Sequence, residues 1–502
     1  MSMTDRRCRE NIRVKSRMVV LLISVLSVAL PTWVMAGPHD GLTAYQGSKT
    51  CMPCHPGKAE EVHASAHYQL KGQTPAVPNL GFAGKFGSIN DFCTYPNINW
   101  LFQMVNLTGQ KVVVGCATCH VGLGVKPIPA QTAAQLENID CLMCHSDLYK
   151  RIGTRVAGGF RYVPDPTVDI PTVLRNIQMP SRAACLTRCH SGAGGGAGLK
   201  QGDIDPAQLN PPRSLDVHMS SLGAGLHCLD CHTARNHRIA GRGNDIRETD
   251  LQVKVDCTNC HGSAPHGSAD LNHHTRVHCT VCHIPTFAKA YPTDVLRDFR
   301  IAVPDPVANR YEPVRTVRSN VTPTYRFFNG LSYFYKFGDP LVLSPTGSFV
   351  MARPLGNIRD PNAKLHAFKL HRAKMAYDLA SLRLIPVKSK VSWETGNMDQ
   401  AIRAGAAAVG WNVTDYGFAT SLRYMSLHHQ VAPKEQALLC GSCHGVGATQ
   451  INFAALGYTP VTTRNGVPLC ASCHSPEVAD FYEIHREHVQ NRGFSCSICH
   501  NF

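Results

Sequence analysis

The stretch HCLDCHTARNH, residues 227–237, holds two cysteines and three histidines. Cys-x-x-Cys-His is the attachment signature of a c-type haem. On that reading Cys228 and Cys231 form thioethers to the porphyrin vinyl groups, and the adjoining His232 ligates the iron. A Cys/His cluster also suits a zinc ribbon, in which paired Cys-x-x-Cys knuckles close a tetrahedral site.

Repetition decides between them. The same pattern occurs at Cys51/Cys54/His55, Cys116/Cys119/His120, Cys141/Cys144/His145, Cys257/Cys260/His261, Cys279/Cys282/His283, Cys440/Cys443/His444, Cys470/Cys473/His474 and Cys496/Cys499/His500. A zinc knuckle has no need of a histidine fixed directly after its second cysteine, so the run predicts haem. A tenth candidate, Cys185-Leu186-Thr187-Arg188-Cys189-His190, carries three residues between its cysteines. Its alternative is an unmodified thiol pair. The expected cofactor complement is therefore about ten covalent c haems.

The N-terminus predicts export. Arg6, Arg7, Arg9, Arg13, Lys15 and Arg17 precede an apolar run from Met18 to Leu30, and Val34-Met35-Ala36 offers small residues for cleavage after Ala36. The run is shorter than the roughly 20 residues of a spanning helix, which sets a signal peptide (1–36) above an uncleaved anchor. The expected location is periplasmic or extracellular, and the cleaved chain does not span a membrane. Cys8 leaves with the leader, and Cys93 in NDFCTYPNINW is then the one cysteine outside the motifs, either a ligand or intermolecular link or a buried inert thiol.

The formal charge of +15 is misleading as a nucleic-acid signal. Removing the leader lowers it to about +11, and each ferric bis-histidine haem adds about −1 through its propionates, so a ten-haem protein is near neutral. Much of the Lys and Arg is expected to face propionates, and no nucleic-acid motif accompanies it.

About 466 cleaved residues serve ten sites, roughly 47 per haem, too few for an ordinary aliphatic core around each. With 41 glycines and 32 prolines, the expected fold is a haem-rich core with short α-helices and much irregular chain, plus a mixed α/β insert. Motif spacing divides it into residues 37–283 with seven sites, a haem-free insert at 284–439, and residues 440–502 with three. SGAGGGAG, Ser191–Gly198, reads as a flexible loop. In the insert, Asn329-Gly330 between aromatic runs predicts a type I′ hairpin, and the spacing in Ala363–Ala380 and in MDQAIRAGAAAVG predicts helices. Aromatic strands beside haems could form a pocket or relay, though core packing is the ordinary explanation.

Sixteen histidines lie outside the motifs, enough to give each of ten irons a distal ligand. The candidates are His63, His67, His218, His227, His237, His266, His273, His278, His428 and His485. His227 and His278 directly precede a motif, and His237 and His266 follow one by five residues. Too close to reach the far face of their own haem, such residues would ligate a neighbour's iron. His63 and His67, four apart, predict one helix face. His366 and His371 divide evenly between ligand and surface, and His39 is expected to be exposed.

GLHCLDCHTARNHRIAGRGNDIRETDL and HHTRVHCTVCHIPTFAKA, with the motif run and the leader, resemble the bacterial multihaem c-type cytochromes, especially the branch around octahaem tetrathionate reductases and the extracellular cytochromes of metal-respiring bacteria. The resemblance implies electron transfer along haem chains or reduction of small nitrogen and sulfur compounds. Ten motifs rather than eight depart from that pattern. Pentahaem nitrite reductases carry lysine for the motif histidine at the catalytic haem, and no Cys-x-x-Cys-Lys occurs here. Two functions follow: a conduit of bis-histidine haems serving redox partner proteins or extracellular acceptors, with a homo-oligomer or filament possible, or a reductase of tetrathionate, nitrite or hydroxylamine at one open or lysine-ligated haem. No catalytic residue is identifiable.

Overall fold

The computed structural model describes residues 37–92, 94–241, 250, 253–262, 265–266, 275–439, 442–443, 449–460, 463–464, 467–468, 486–493 and 500–501. The leader, Cys93, His273, His485, Cys440, His444, Cys470, Cys473, His474, Cys496 and Cys499 lie outside them, as does the ring of His500. Among the described residues no helix is long and apolar enough to cross a membrane.

Regular structure in the motif-bearing region is short. Single helical turns such as Leu142–His145, Cys228–Cys231 and Thr280–His283 carry the motifs, between two-stranded ribbons such as Arg151–Val156 with Gly159–Pro164. One local bond recurs: the histidine N–H donates to the carbonyl of the motif's first cysteine, at 2.9 Å in His55, 3.1 Å in His145, 2.8 Å in His232, 2.9 Å in His261 and 3.0 Å in His283. This closes an α-turn, and the 3.6-residue period brings the first cysteine, the second and the histidine onto one side of it. His120 departs from the rule, because its N–H donates to Ala117 in a tighter 3-10 turn. The expectation for His63 and His67 also fails: one helix ends at His63 and Ser65 caps a second over Ala66–Gln69, so the two rings do not share a helix face.

The insert builds a seven-stranded sheet from β1 (Thr293–Asp305), β2 (Arg310–Arg318), β3 (Thr324–Phe328), β4 (Ser332–Phe334), β5 (Ser348–Pro354), β6 (Lys364–Asp378) and β7 (Tyr416–Ser426). The order is β2-β1-β6-β7-β5-β4, with β3 also paired to β6. Two sequence expectations are corrected here. Residues 364–378 form the central strand rather than a helix: β7 pairs along one edge and β1 and β3 along the other, and five successive residues, Leu365 to Lys369, are buried, so the period-two signature is lost. Asn329-Gly330 does not close a hairpin: β3 leaves it to pair with β6 and β4 to pair with β5. Tyr325, Phe327, Phe334 and Tyr335 nonetheless pack in the core.

Two helices, α1 (Ser389–Thr395) and α2 (Met398–Ala408), cover the sheet, the second as its sequence spacing predicts. The Asn397 side chain caps α2, accepting from the Gln400 N–H at 2.9 Å, and Met398, Ala401, Ile402 and Ala406 face inward. Gly405 is required where the helix crosses the Pro386 carbonyl, since a Cβ there would sit 1.6 Å from that oxygen.

The glycine segment after His190 is a docked run of turns rather than a free loop. Gly194 and Gly198 have φ of 87° and 69°, and their carbonyls accept from Arg297 and Thr293 of β1.

Candidate functional site

Six of the seven motif histidines whose rings are described face a second histidine ring at one nearly constant separation. The centroids are 6.2 Å apart for His55 and His39, 6.2 Å for His145 and His237, 6.3 Å for His190 and His67, 6.2 Å for His232 and His429, 6.0 Å for His261 and His218, and 6.2 Å for His283 and His266. Rings in van der Waals contact would lie closer. An ion between two imidazoles, at metal–nitrogen distances of about 2 Å, sets centroids about 6 Å apart. The interplanar angles range from 3° to 67°, as a shared axis with free rotation about it allows.

In four of these rings the second nitrogen has a partner that fits the same reading. His145 Nδ1 donates to the Gln178 carbonyl at 2.9 Å and His237 Nδ1 to Glu61 at 2.8 Å. His232 Nδ1 donates to Ala240 at 2.9 Å, and His429 Nδ1 lies 3.3 Å from Asp203. Fixing the proton on Nδ1 leaves the Nε2 lone pair for an iron, which is how outer partners orient a metal-binding histidine. Burial drives the His190 imidazole down to about 3 and lowers His145, His232 and His283 as well, which favours the neutral, ligating form. Burial also works against protonation of His429, but the Asp203 carboxylate outweighs it and holds that ring above its usual value.

The cysteines of neighbouring motifs meet. The thiols of Cys51 and Cys141, Cys119 and Cys189, Cys185 and Cys228, and Cys257 and Cys279 lie side by side, and the Cys189 thiol donates to the Cys119 carbonyl at 3.6 Å. Cys144 lies within electrostatic range of Cys185 and Cys189, and Cys231 of Cys260. These sulfurs stand where thioethers would be in a haem-loaded chain.

Three further cysteines of the predicted attachment set are placed differently. Cys54 is exposed, its N–H on the Cys51 carbonyl at 3.2 Å, so the first motif turns one cysteine toward the Cys141 site and the other toward solvent. Cys282 and Cys443 are half-buried and both lie within electrostatic range of the Tyr325 hydroxyl, which brings the Cys279 and Cys440 motifs together across β3. The Cys282 carbonyl accepts from the Leu438 N–H at 2.9 Å, and Cys443 packs on the cluster that holds Tyr325, Leu427 and Ile451. Sequence spacing alone treats all the attachment cysteines alike; the surrounding chain sets their different exposures.

Comparison with known proteins agrees. The family described as "Cytochrome c bacterial" matches residues 314–447, which is mostly the motif-free insert. The octaheme cytochrome c of Shewanella oneidensis superposes with a TM-score of 0.69 at 28% identity, covering 84% of this chain and 97% of that one. This chain is a bacterial multihaem c-type cytochrome. An uncharacterised protein of Archaeoglobus fulgidus is also 34% identical over 243 residues, covering 41% of this cytochrome and 80% of that chain.

Of the ten distal candidates, the cytochrome brings His67, His218, His237 and His266 opposite a motif histidine. His237 and His266 do so as their spacing predicts, each facing the ring of a different motif. His39 and His429 complete the set and were not among the candidates. His39 is half-buried against His55 rather than exposed, and two consecutive histidines gave no local sign that His429, not His428, would face His232.

Other candidates stand elsewhere. His63 is buried beside the Gln69 amide, 3.2 Å from its Nε2, and His227 is exposed with its N–H on Asp230 at 2.6 Å. His278 is buried, stacks on His366 at 4.0 Å, and faces His428 at 6.2 Å. His366 and His371 are not on the surface. His371 is fully buried, stacked on Phe92 at 3.9 Å, 2.8 Å from Asp91 and 3.5 Å from Asp294. Arg423 also binds Asp91, at 3.0 Å, and Lys369, two residues before His371 and on the same strand face, donates to the carbonyls of Leu199 and Lys200 at 2.8 and 2.7 Å. This buried network joins the sheet to the motif-bearing region.

His120 is the exception among the motif histidines. Its ring lies 5.0 Å from both Tyr68 and Trp100, its Nε2 donates to the Tyr68 carbonyl at 2.7 Å, and no described histidine faces it.

Proposed function

We propose that this cytochrome is an exported electron conduit carrying about ten covalent c haems. The observation that carries the reading is the set of six facing histidine pairs: a haem iron bound between two such rings would leave no open position for substrate and would exchange electrons only. The attachment residues are the ten cysteine pairs, with His55, His145, His190, His232, His261 and His283 as proximal ligands and His39, His237, His67, His429, His218 and His266 opposite them. Bound haem supplies the reversible one-electron chemistry. The chain fixes where it happens, through Nδ1 partners on His145, His237, His232 and His429 and through motif cysteines that lie beside those of the next site.

The cysteine contacts support a route that departs from chain order. It runs from the Cys51 site to the Cys141 site, then through the Cys185, Cys228 and Cys257 sites to the Cys279 site, with the Cys116 site a branch beside Cys185. The proposed units are a leader at 1–36, seven sites in 37–283, the sheet-bearing insert at 284–439 and three sites in 440–502. Cleavage after Ala36 would release the protein to the periplasm or exterior, where redox partner proteins or extracellular acceptors take up the electrons.

One observation favours the second reading, a reductase of a small nitrogen or sulfur oxyanion: His120 has no facing histidine among the described residues. Stopped-flow oxidation of the fully reduced protein separates the two. The conduit predicts fast oxidation by a chelated ferric salt and slow reaction with nitrite, hydroxylamine and tetrathionate. Rapid, saturable turnover of any of those three, with a high-spin haem that responds to it, would replace the conduit with the reductase.

A further inference from the structure

The widened motif raises a question of its own: what the extra residue between Cys185 and Cys189 is for. Locally it is absorbed without distortion. Ser181 caps the turn Arg182–Cys185 by accepting from Ala184 at 3.1 Å, and Leu186–His190 then forms a π-turn closed by Ser191 N–H on the Leu186 carbonyl at 3.1 Å. A π-turn takes one more residue than an α-turn, and such turns are frequent at functional sites. His190 still follows its cysteine and still faces His67.

The added length lets Arg188, directly before Cys189, fold back onto the neighbouring site. Its guanidinium donates to the carbonyls of Leu142 and Met143 at 3.1 and 2.7 Å, and to those of Ser146 and Tyr149 at 2.6 Å each. Leu142 and Met143 lie inside the Cys141–His145 motif. The Arg188 carbonyl receives the Cys119 thiol at 3.6 Å, so this residue touches three attachment sites.

Arg151, nearby, differs in one respect. It too binds motif carbonyls, but Asp140 neutralises it at 2.8 Å. Among the described residues Arg188 has four carbonyls and no carboxylate in salt-bridge range, and those neutral dipoles solvate its charge without cancelling it.

We infer that Arg188 is a redox-positioning residue, a fixed uncompensated cation set between the Cys141 and Cys185 sites to raise the reduction potential of both haems. A positive charge held beside a site stabilises its reduced form, and local net charge is among the levers that set haem potentials. The pair then forms the electron sink of the chain where the Cys116 branch joins it. The inference rests on Cys185 and Cys189 carrying a haem.

The test is a mediator-buffered spectropotentiometric titration of the holoprotein beside Arg188→Gln, Arg188→Met and Arg188→Lys, with intact mass giving the haem count of each. Expected are a downward shift of two midpoint potentials in both neutral variants, the remaining potentials in place, haem count unchanged, and rescue by lysine. A neutral variant with its full haem count and no shifted potential would overturn the inference. So would loss of assembly in both neutral variants beside an assembled Arg188→Lys protein, which would make the charge a folding requirement. A wild-type mass that does not fall on Cys185→Ala with Cys189→Ala would instead remove the attachment site, and the inference with it.

Discussion

From Thr293 to Ser426 the chain packs Phe299, Met351, Met375, Leu384 and Ile402 into one large cluster, joined by Val77, Ile89 and Tyr95 from the preceding region, and Tyr325, Phe327 and Leu365 into a second that Cys443 borders. The other clustered apolar residues from Tyr45 to Leu174 fall instead into three small patches, around Leu142, Tyr68 and Trp100. The edges of those patches are the motif cysteines: Cys51 and Cys189 on the first, Cys141 and Cys144 on the second, Cys116 on the third. A sheet that closes on its own side chains needs no cofactor to be stable. A region of isolated patches ending in haem-attaching cysteines is stabilised by what is attached there. The difference explains how mostly motif-free residues come to carry the family match, since the sheet is the part that packs largely on its own side chains.

The largest expected effect breaks the comparison outright. Cys141→Ala with Cys144→Ala should abolish hydrogen-exchange protection across the patches around Leu142 and Tyr68, while β5, β6 and β7 keep theirs. Equal loss in both regions would mean that the sheet depends on haem as well.

Next is the joint between them. Burial would raise the Asp91 carboxyl, but His371 and Arg423 outweigh it and hold it well below the usual range. Asp91→Asn takes the buried carboxylate away from Arg423 and His371, at a cost of about 3–5 kcal/mol in chemical denaturation. The sign for pH follows: the contribution is present above the unfolded carboxylate value of about 4 and is lost as pH falls toward the depressed folded value. A wild-type protein no less stable at pH 3 than at pH 6 would contradict it. Smaller again, Met351→Ala should cost about 3 kcal/mol in the sheet by opening a cavity, with the haem absorption spectrum unchanged. The smallest effect sharpens the haem side. Glu61→Gln weakens the partner of His237 and should shift one midpoint potential by the equivalent of about 1–2 kcal/mol, leaving the sheet's stability untouched.

What was legible in the sequence follows the same division. Attachment sites are covalent and local, so fixed spacing displays them, though it does not show that Cys54 faces solvent while Cys282 and Cys443 meet beside Tyr325. Facing histidines are tertiary: His237 and His266 were readable because they sit five residues past a motif, whereas His39 and His429 carry no neighbouring sign. Residues 364–378 misled because a buried central strand bearing Lys369 and His371 lacks the alternation of a half-exposed one. The partners of that lysine and histidine, Leu199, Lys200 and Asp91, are remote in the chain. His120 keeps its motif intact, and only the 3-10 turn and the Tyr68 carbonyl distinguish it.

The central claim is that facing rings mark axial pairs, and ferric EPR spin quantitation of His429→Ala tests it most directly, with His227→Ala as control. The account predicts that removing His429 converts one low-spin haem to high-spin, while removing the exposed His227 converts none. A His429→Ala protein with an unchanged low-spin count, or one in which His227→Ala alone creates the high-spin haem, would contradict it.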